Sequence, residues 1–138
     1  KPSAVAYGIN SVGVALHGLD DHLLVLRLHG ETDELQRLDA LLKDDPAILA
    51  PTGGEVDLEV MVRGLDNALW QVTTPTESDY SLGGLLSGAP SAWLSPDQTR
   101  LSVIAPILEN GQVSLWWKYS GYRPPCSVAG TPCASCSQ

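Results

Sequence analysis

Leu38-Asp39-Ala40-Leu41-Leu42-Lys43-Asp44-Asp45-Pro46 and Leu82-Gly83-Gly84-Leu85-Leu86-Ser87-Gly88-Ala89-Pro90 carry three leucines and a proline in the same places, at an offset of 44. Pro2 precedes Pro46 by the same interval. Each proline is followed by small or apolar residues (Ser3-Ala4-Val5, Ala47-Ile48-Leu49, Ser91-Ala92-Trp93), then a turn, then an alternating apolar run. Those runs are Val12 to Leu19, Val56 to Leu65 and Leu101 to Leu108. Self-similarity at a fixed period decides the architecture before any single element is assigned, because each repeat is one supersecondary unit stacked on the next.

A second landmark lies just downstream. Gly18-Leu19-Asp20-Asp21-His22-Leu23-Leu24 matches Gly64-Leu65-Asp66-Asn67-Ala68-Leu69-Trp70 at an offset of 46, and Glu109-Asn110-Gly111-Gln112 takes the equivalent place in a third unit. Asn, Asp and Gly tolerate the positive φ that tight hairpins demand, so each unit contains at least one hairpin. Three units result: 1 to 45, 46 to 89 and 90 to about 125, with 126–138 left as a tail. In the second unit the expected strands are Ala47 to Ala50, Asp57 to Arg63, Ala68 to Thr73 and Tyr80 to Leu82. Alternation at Leu58, Val60, Val62 and at Leu101, Val103, Ala105 supports strand. Four strands in about 40–45 residues is the spacing of a β-propeller blade, so the fold class expected is all-β, three four-stranded antiparallel repeats.

Thr32 to Leu42 disagrees when read alone. It has an N-cap residue, good helix formers and leucines at 35, 38, 41 and 42. Its counterpart in the second unit contains Gly83-Gly84, which helices disfavour. The repeat therefore overrides local propensity here, with at most a helical turn in the first unit.

Val62-Arg63-Gly64-Leu65-Asp66-Asn67-Ala68-Leu69-Trp70, then Ser81-Leu82-Gly83-Gly84-Leu85-Leu86-Ser87-Gly88-Ala89-Pro90-Ser91-Ala92 and Arg100-Leu101-Ser102-Val103, resembles the blade repeat of the Photorhabdus-type β-propeller lectins. The second unit carries the resemblance best. The first has His17 in place of the arginine and Leu24 in place of the tryptophan; the third keeps Leu115-Trp116-Trp117 but has Pro106-Ile107 for the arginine-glycine step. The resemblance implies a propeller that binds sugars, often fucose, in shallow pockets between blades. Three blades fall short of a closed ring, and exposed blade edges are an association hazard. A symmetric dimer of arcs, or blades on another chain, is expected to complete it.

The site residues expected for sugar binding are Arg63, Asp66, Asn67 and Trp70, with Trp116, Trp117 and Tyr119. A sugar presents a C–H face to an indole and needs fixed donors and acceptors for its hydroxyls. The competing reading is that the aromatics pack blade against blade. Successive strand residues point to opposite faces, so Trp116 and Trp117 cannot both be core. His17, His22 and His29 straddle the Asp20-Asp21 turn, but no metal set of three or four ligands is visible, and solvated histidines are expected, with no metal and no cofactor. The carboxylates Asp20, Asp21, Asp33, Glu34, Asp39, Asp44 and Asp45 would suffice for a glycosidase only at the right separation, and the chain is read as non-enzymatic.

The 138 residues include 8 Lys+Arg against 16 Asp+Glu, a net charge of −8, and 43% are hydrophobic. There is material for a core, and no basic stripe for phosphate, so nucleic acid is not an expected partner. No apolar run reaches the ~18–20 residues of a membrane span. Lys1 opens without a signal-peptide pattern, which reads as a mature or trimmed product. Cys126, Cys133 and Cys136 all fall in the tail, which suggests a disulfide in an oxidising, extracellular compartment with one thiol free or joined to another chain. Redox use of Cys133-Ala-Ser-Cys136 would need a βαβ setting that the chain does not supply. The expected function is a secreted, carbohydrate-binding segment. The alternative is a non-catalytic interaction chain, disulfide-linked to a larger secreted enzyme or toxin.

Overall fold

The computed structural model describes residues 1–51, 57–96 and 100–121, the last four of them through their backbone alone. It is all β: three antiparallel sheets and, among the described residues, no helix. The first sheet runs in order through β1 (Ser3–Tyr7), β2 (Ser11–His17), β3 (His22–His29) and β4 (Thr32–Leu41). The second follows with β5 (Ala47–Leu49), β6 (Leu58–Arg63), β7 (Leu69–Thr74) and β8 (Ser78–Gly83). The third comprises β9 (Ser91–Leu94), β10 (Arg100–Glu109) and β11 (Gln112–Gly121). Every sheet is a meander, so each strand pairs with its neighbour in sequence and hairpin turns suffice. The fourth strand expected in the third unit lies outside the described residues, as does the cysteine tail.

The repeat seen in the sequence is a repeat of hydrogen bonds. In the first sheet Gly18 N donates to His22 O at 2.8 Å and Asp21 N to Gly18 O at 3.0 Å; in the second, Gly64 N donates to Ala68 O and Asn67 N to Gly64 O, both at 3.0 Å. Asp21 and Asn67 take φ of 65° and 66°. That left-handed conformation turns their carbonyls outward, where the Leu42 and Leu86 amides donate to them at 2.8 Å each. The next amides then cross to the following sheet: Lys43 N to Arg63 O at 2.9 Å and Ser87 N to Pro106 O at 2.8 Å. In the third sheet this five-residue turn contracts to Asn110-Gly111, at φ 51° and 76°, a tight pair that carries β10 straight into β11.

Thr32–Leu41 is a ten-residue strand despite its helical signature. Gly30, at φ 60°, reverses the chain and lays β4 along β3, from His29↔Thr32 to Leu24↔Arg37. A helix there would leave the β3 edge amides and carbonyls unpaired against a packed sheet, a penalty that outweighs the few tenths of a kcal/mol per residue at stake in propensity.

The sheets pack face to face in two seams. Ala15, Leu23, Val25 and Leu38 of the first sheet meet Leu58, Val60, Val62 and Val72 of the second. Leu49, Met61 and Leu69, on the opposite face of the second sheet, meet Leu101, Val103 and Ala105 of the third. Each fully buried Leu or Val contributes about 1.5–3 kcal/mol, so these seams, rather than any one sheet, hold the chain together. The first strands β1, β5 and β9 touch in succession along one side. The connections after β4 and β8 are tied to the following sheet through the Lys43–Arg63 and Ser87–Pro106 backbone bonds.

Candidate functional site

The hairpin between β6 and β7 builds a fixed indole. Asp66 Oδ1 accepts the Ala68 amide at 3.0 Å, closing an Asx-type turn, and also accepts Trp70 Nε1–H at 3.0 Å. Gly64 lies beneath: a Cβ there would stand 2.8 Å from Trp70 Cδ1, so only glycine lets the ring settle on the backbone. The carboxylate thus orients the ring, and the glycine sets its depth.

Trp70 forms one wall of a cleft of about 350 Å³ at the first seam. Gly64, Leu65 and Asp66 belong to the same wall, and Ala40 and Leu41 of β4 face them. Asp39 and Asp79 add carboxylates, so the cleft is apolar at its base and acidic at its rim. A second cleft, of about 240 Å³, lies at the second seam. Gly84 and Leu85 take the places of Ala40 and Leu41, while Ile107, Leu108, Glu109 and Trp116 take those of Gly64, Leu65, Asp66 and Trp70. Trp116 leans across the seam onto Gly84, where a Cβ would stand 2.7 Å from its Cζ3. The repeat has therefore generated the same recess twice, each with a tryptophan and a carboxylate.

Of the residues expected from the sequence, Asp66, Trp70 and Trp116 meet at these clefts. Arg63 and Asn67 do not line them. Arg63 Nη1 donates to Asp44 Oδ2 at 2.6 Å and Nη2 to Asn67 Oδ1 at 2.9 Å, and Lys43 Nζ donates to the same oxygen at 2.9 Å. The pair clamps the connection leaving the first sheet onto the second. His17 makes the matching contact in the first sheet, Nε2 to Asp21 Oδ1 at 2.9 Å. Trp117 is exposed on the face of β11 opposite Trp116, as strand alternation requires. Tyr119 has its backbone paired with Ser102, and its side chain lies outside the described residues, as do Cys126, Cys133 and Cys136.

The histidines do not converge. His22 sits among Asp20 and Arg37, and His29 pairs with Ser11. Both His17 and His22 are half-buried rather than fully solvated. The Arg37 guanidinium, donating from Nε and Nη2 to Asp20 Oδ2, holds the Asp20 carboxyl down at about 2. That carboxyl stays ionised at any physiological pH, the reverse of what a general acid needs.

One titratable group escaped the sequence reading. Glu59, on β6 between Leu58 and Val60, is buried, and burial raises its pKa above the ordinary 4.5. It accepts Gln71 Nε2–H at 3.1 Å and Thr73 Oγ–H at 2.9 Å, and Tyr80 in turn donates to Gln71 Oε1 at 2.7 Å. The signal was available: a glutamate in mid-strand, flanked by Leu58 and Val60, in a strand read as apolar on one face only.

No family model matches the chain, and no curated protein does.

Proposed function

We propose that the chain is a carbohydrate-binding, lectin-like segment of a β-propeller, extracellular and non-enzymatic, and that its glycan sites are the two seam clefts. The observation that carries this reading is the duplication of a recess bearing an indole and a carboxylate at equivalent repeat positions. Both tryptophans pack against their seam core and yet remain half-exposed beside an open cleft. The indole offers a flat face to a sugar's C–H groups, and Asp39, Asp66 and Asp79 offer acceptors to its hydroxyls.

The electrostatics narrow the class. With Arg63 turned away to Asp44, the first cleft is lined, among the described residues, by acceptors and no cation, in a chain of net charge −8. Neutral sugars and those bearing an amine fit; sialylated, sulfated and uronic glycans meet like charge. Two shallow sites per chain would act together through avidity.

A glycan array followed by titration tests this. Binding should concentrate on neutral or amino-bearing glycans, and Trp70→Ala should weaken it by about 1–3 kcal/mol, the worth of one apolar ring face. Retention of full affinity in a double Trp70→Ala, Trp116→Ala variant that remains folded would remove the reading.

A further inference from the structure

The repeat allows each side chain to be compared with its own equivalents one and two units away. Leu23, Leu69 and Leu115 occupy the same place in β3, β7 and β11. The first two are 0% exposed and the third is 73% exposed. On β9, Trp93 is 45% exposed where Leu49, its equivalent on β5, is 8% exposed. The half-buried Pro106 and Ile104 share this surface with the buried Ser102, so apolar side chains of three strands lie on the outer face of the third sheet.

The opposite end of the chain shows the complementary case. Val12 on β2 is 37% exposed, whereas its equivalents Leu58 and Leu101 are 0% and 1% exposed. Cross-strand pairing places Val12 opposite Leu28, Val14 opposite Leu26 and Leu16 opposite Leu24, a continuous aliphatic face on the first sheet. In the second sheet the same positions are Leu58, Val60, Val62, Trp70, Val72 and Thr74, the surface that packs against the first sheet. The two end faces are therefore the two halves of one seam, which the chain makes twice internally and leaves open once.

We propose that a second copy of this chain fills the open halves head to tail, with the outer face of the third sheet on one copy packing against the outer face of the first sheet on the other. A heterologous contact of this kind closes only if the rotation per repeat completes a circle. Propellers close with about four to eight blades, and six is the only multiple of three in that range, so two copies close the ring through two identical seams. Leu24 stands where Trp70 and Trp116 stand in the internal seams, so the joining seams lack the tryptophan of the clefts and serve packing. The open seam rests on the repeat and on burial, and the closure by two copies rests on the propeller reading proposed above; neither depends on glycan binding.

The test uses the full chain in reductant, which removes any contribution of the tail cysteines. Sedimentation at micromolar concentration should give a dimer. Leu115→Glu, on the third sheet, and Val12→Lys, on the first, should each weaken association by about tenfold or more, since either places a charge in both seams. Mixing the two variants should restore a dimer with one unaltered seam and one Lys–Glu seam. Trp93→Glu and Leu26→Lys provide a second pair, and far-UV circular dichroism establishes that each variant keeps its β spectrum. A wild-type monomer would overturn the proposal and assign the end faces to other blades. Dissociation by only one member of a pair, or no recovery on mixing folded variants, would overturn it in favour of a face packing on its own copy.

Discussion

Glu59 shows how the chain handles a charge where sheets press on both sides of a strand. The carboxylate keeps two side-chain donors, Gln71 and Thr73, yet desolvation dominates and its pKa lies above 4.5. A carboxyl that is harder to ionise in the folded state than in the unfolded chain contributes stability below pH 4.5, and that contribution is lost as pH rises through the folded-state pKa. Melting temperature should therefore fall on that limb, and Glu59→Gln should flatten it while leaving the fold at least as stable at pH 7. A pH–melting series on the two proteins decides this; an unchanged limb in Glu59→Gln would assign the dependence to other groups. Asp20 works in the opposite sense. Its pairing with Arg37 is retained above the ordinary carboxylate range and disappears only as pH falls towards 2, and at so exposed a position its weight is small.

At the level of the element, the Gly64–Ala68 turn links local conformation to seam assembly. Asn67 holds φ at 66°, aims its carbonyl at the Leu86 amide, and receives Arg63 and Lys43 on its side chain. Asn67→Gly keeps the backbone and loses the side-chain bonds, whereas Asn67→Ala loses those bonds and adds left-handed strain of about 1–2 kcal/mol. Melting temperatures should fall in the order wild type, Asn67→Gly, Asn67→Ala. Arg63→Ala should likewise lower stability by about 1–3 kcal/mol while leaving glycan affinity nearly unchanged, because the guanidinium serves Asp44 rather than the cleft. A calorimetric scan paired with a glycan titration separates the two effects; a selective loss of affinity would return Arg63 to the binding site.

Across the whole molecule, burial follows position in the stack rather than residue type. Leu23 and Leu69 each lie inside a seam, so Leu23→Ala and Leu69→Ala should each cost about 2–5 kcal/mol in chemical denaturation. Leu115→Ala, at the equivalent place on the end face, should cost less than about 0.5 kcal/mol when measured on the dissociated chain. Three chemically identical substitutions would then report three different contexts. Equal costs at all three would mean that the end face is covered within the single chain.

Much of this was legible from residues 38–46 and 82–90 alone. An offset of 44 to 46 predicted the number of units, the hairpins at Asp20-Asp21 and Asp66-Asn67, and the strands of the second unit to within one or two residues, because turn chemistry and two-residue alternation act locally. The same offset correctly outweighed the helical pattern of Thr32 to Leu42. What remained hidden depends on which sheet faces which. Arg63 and Trp70 are both near Asp66 in sequence, but one side chain runs to Asp44 and the other opens onto a cleft shared with β4. Trp116 and Gly84 are 32 positions apart and meet only because two sheets stack. The repeat determined the strands and turns by itself; the seams, the buried Glu59 and the division of the hairpin residues between clamp and cleft were decided by tertiary packing, since desolvation and contact across a seam depend on neighbours that no local spacing encodes.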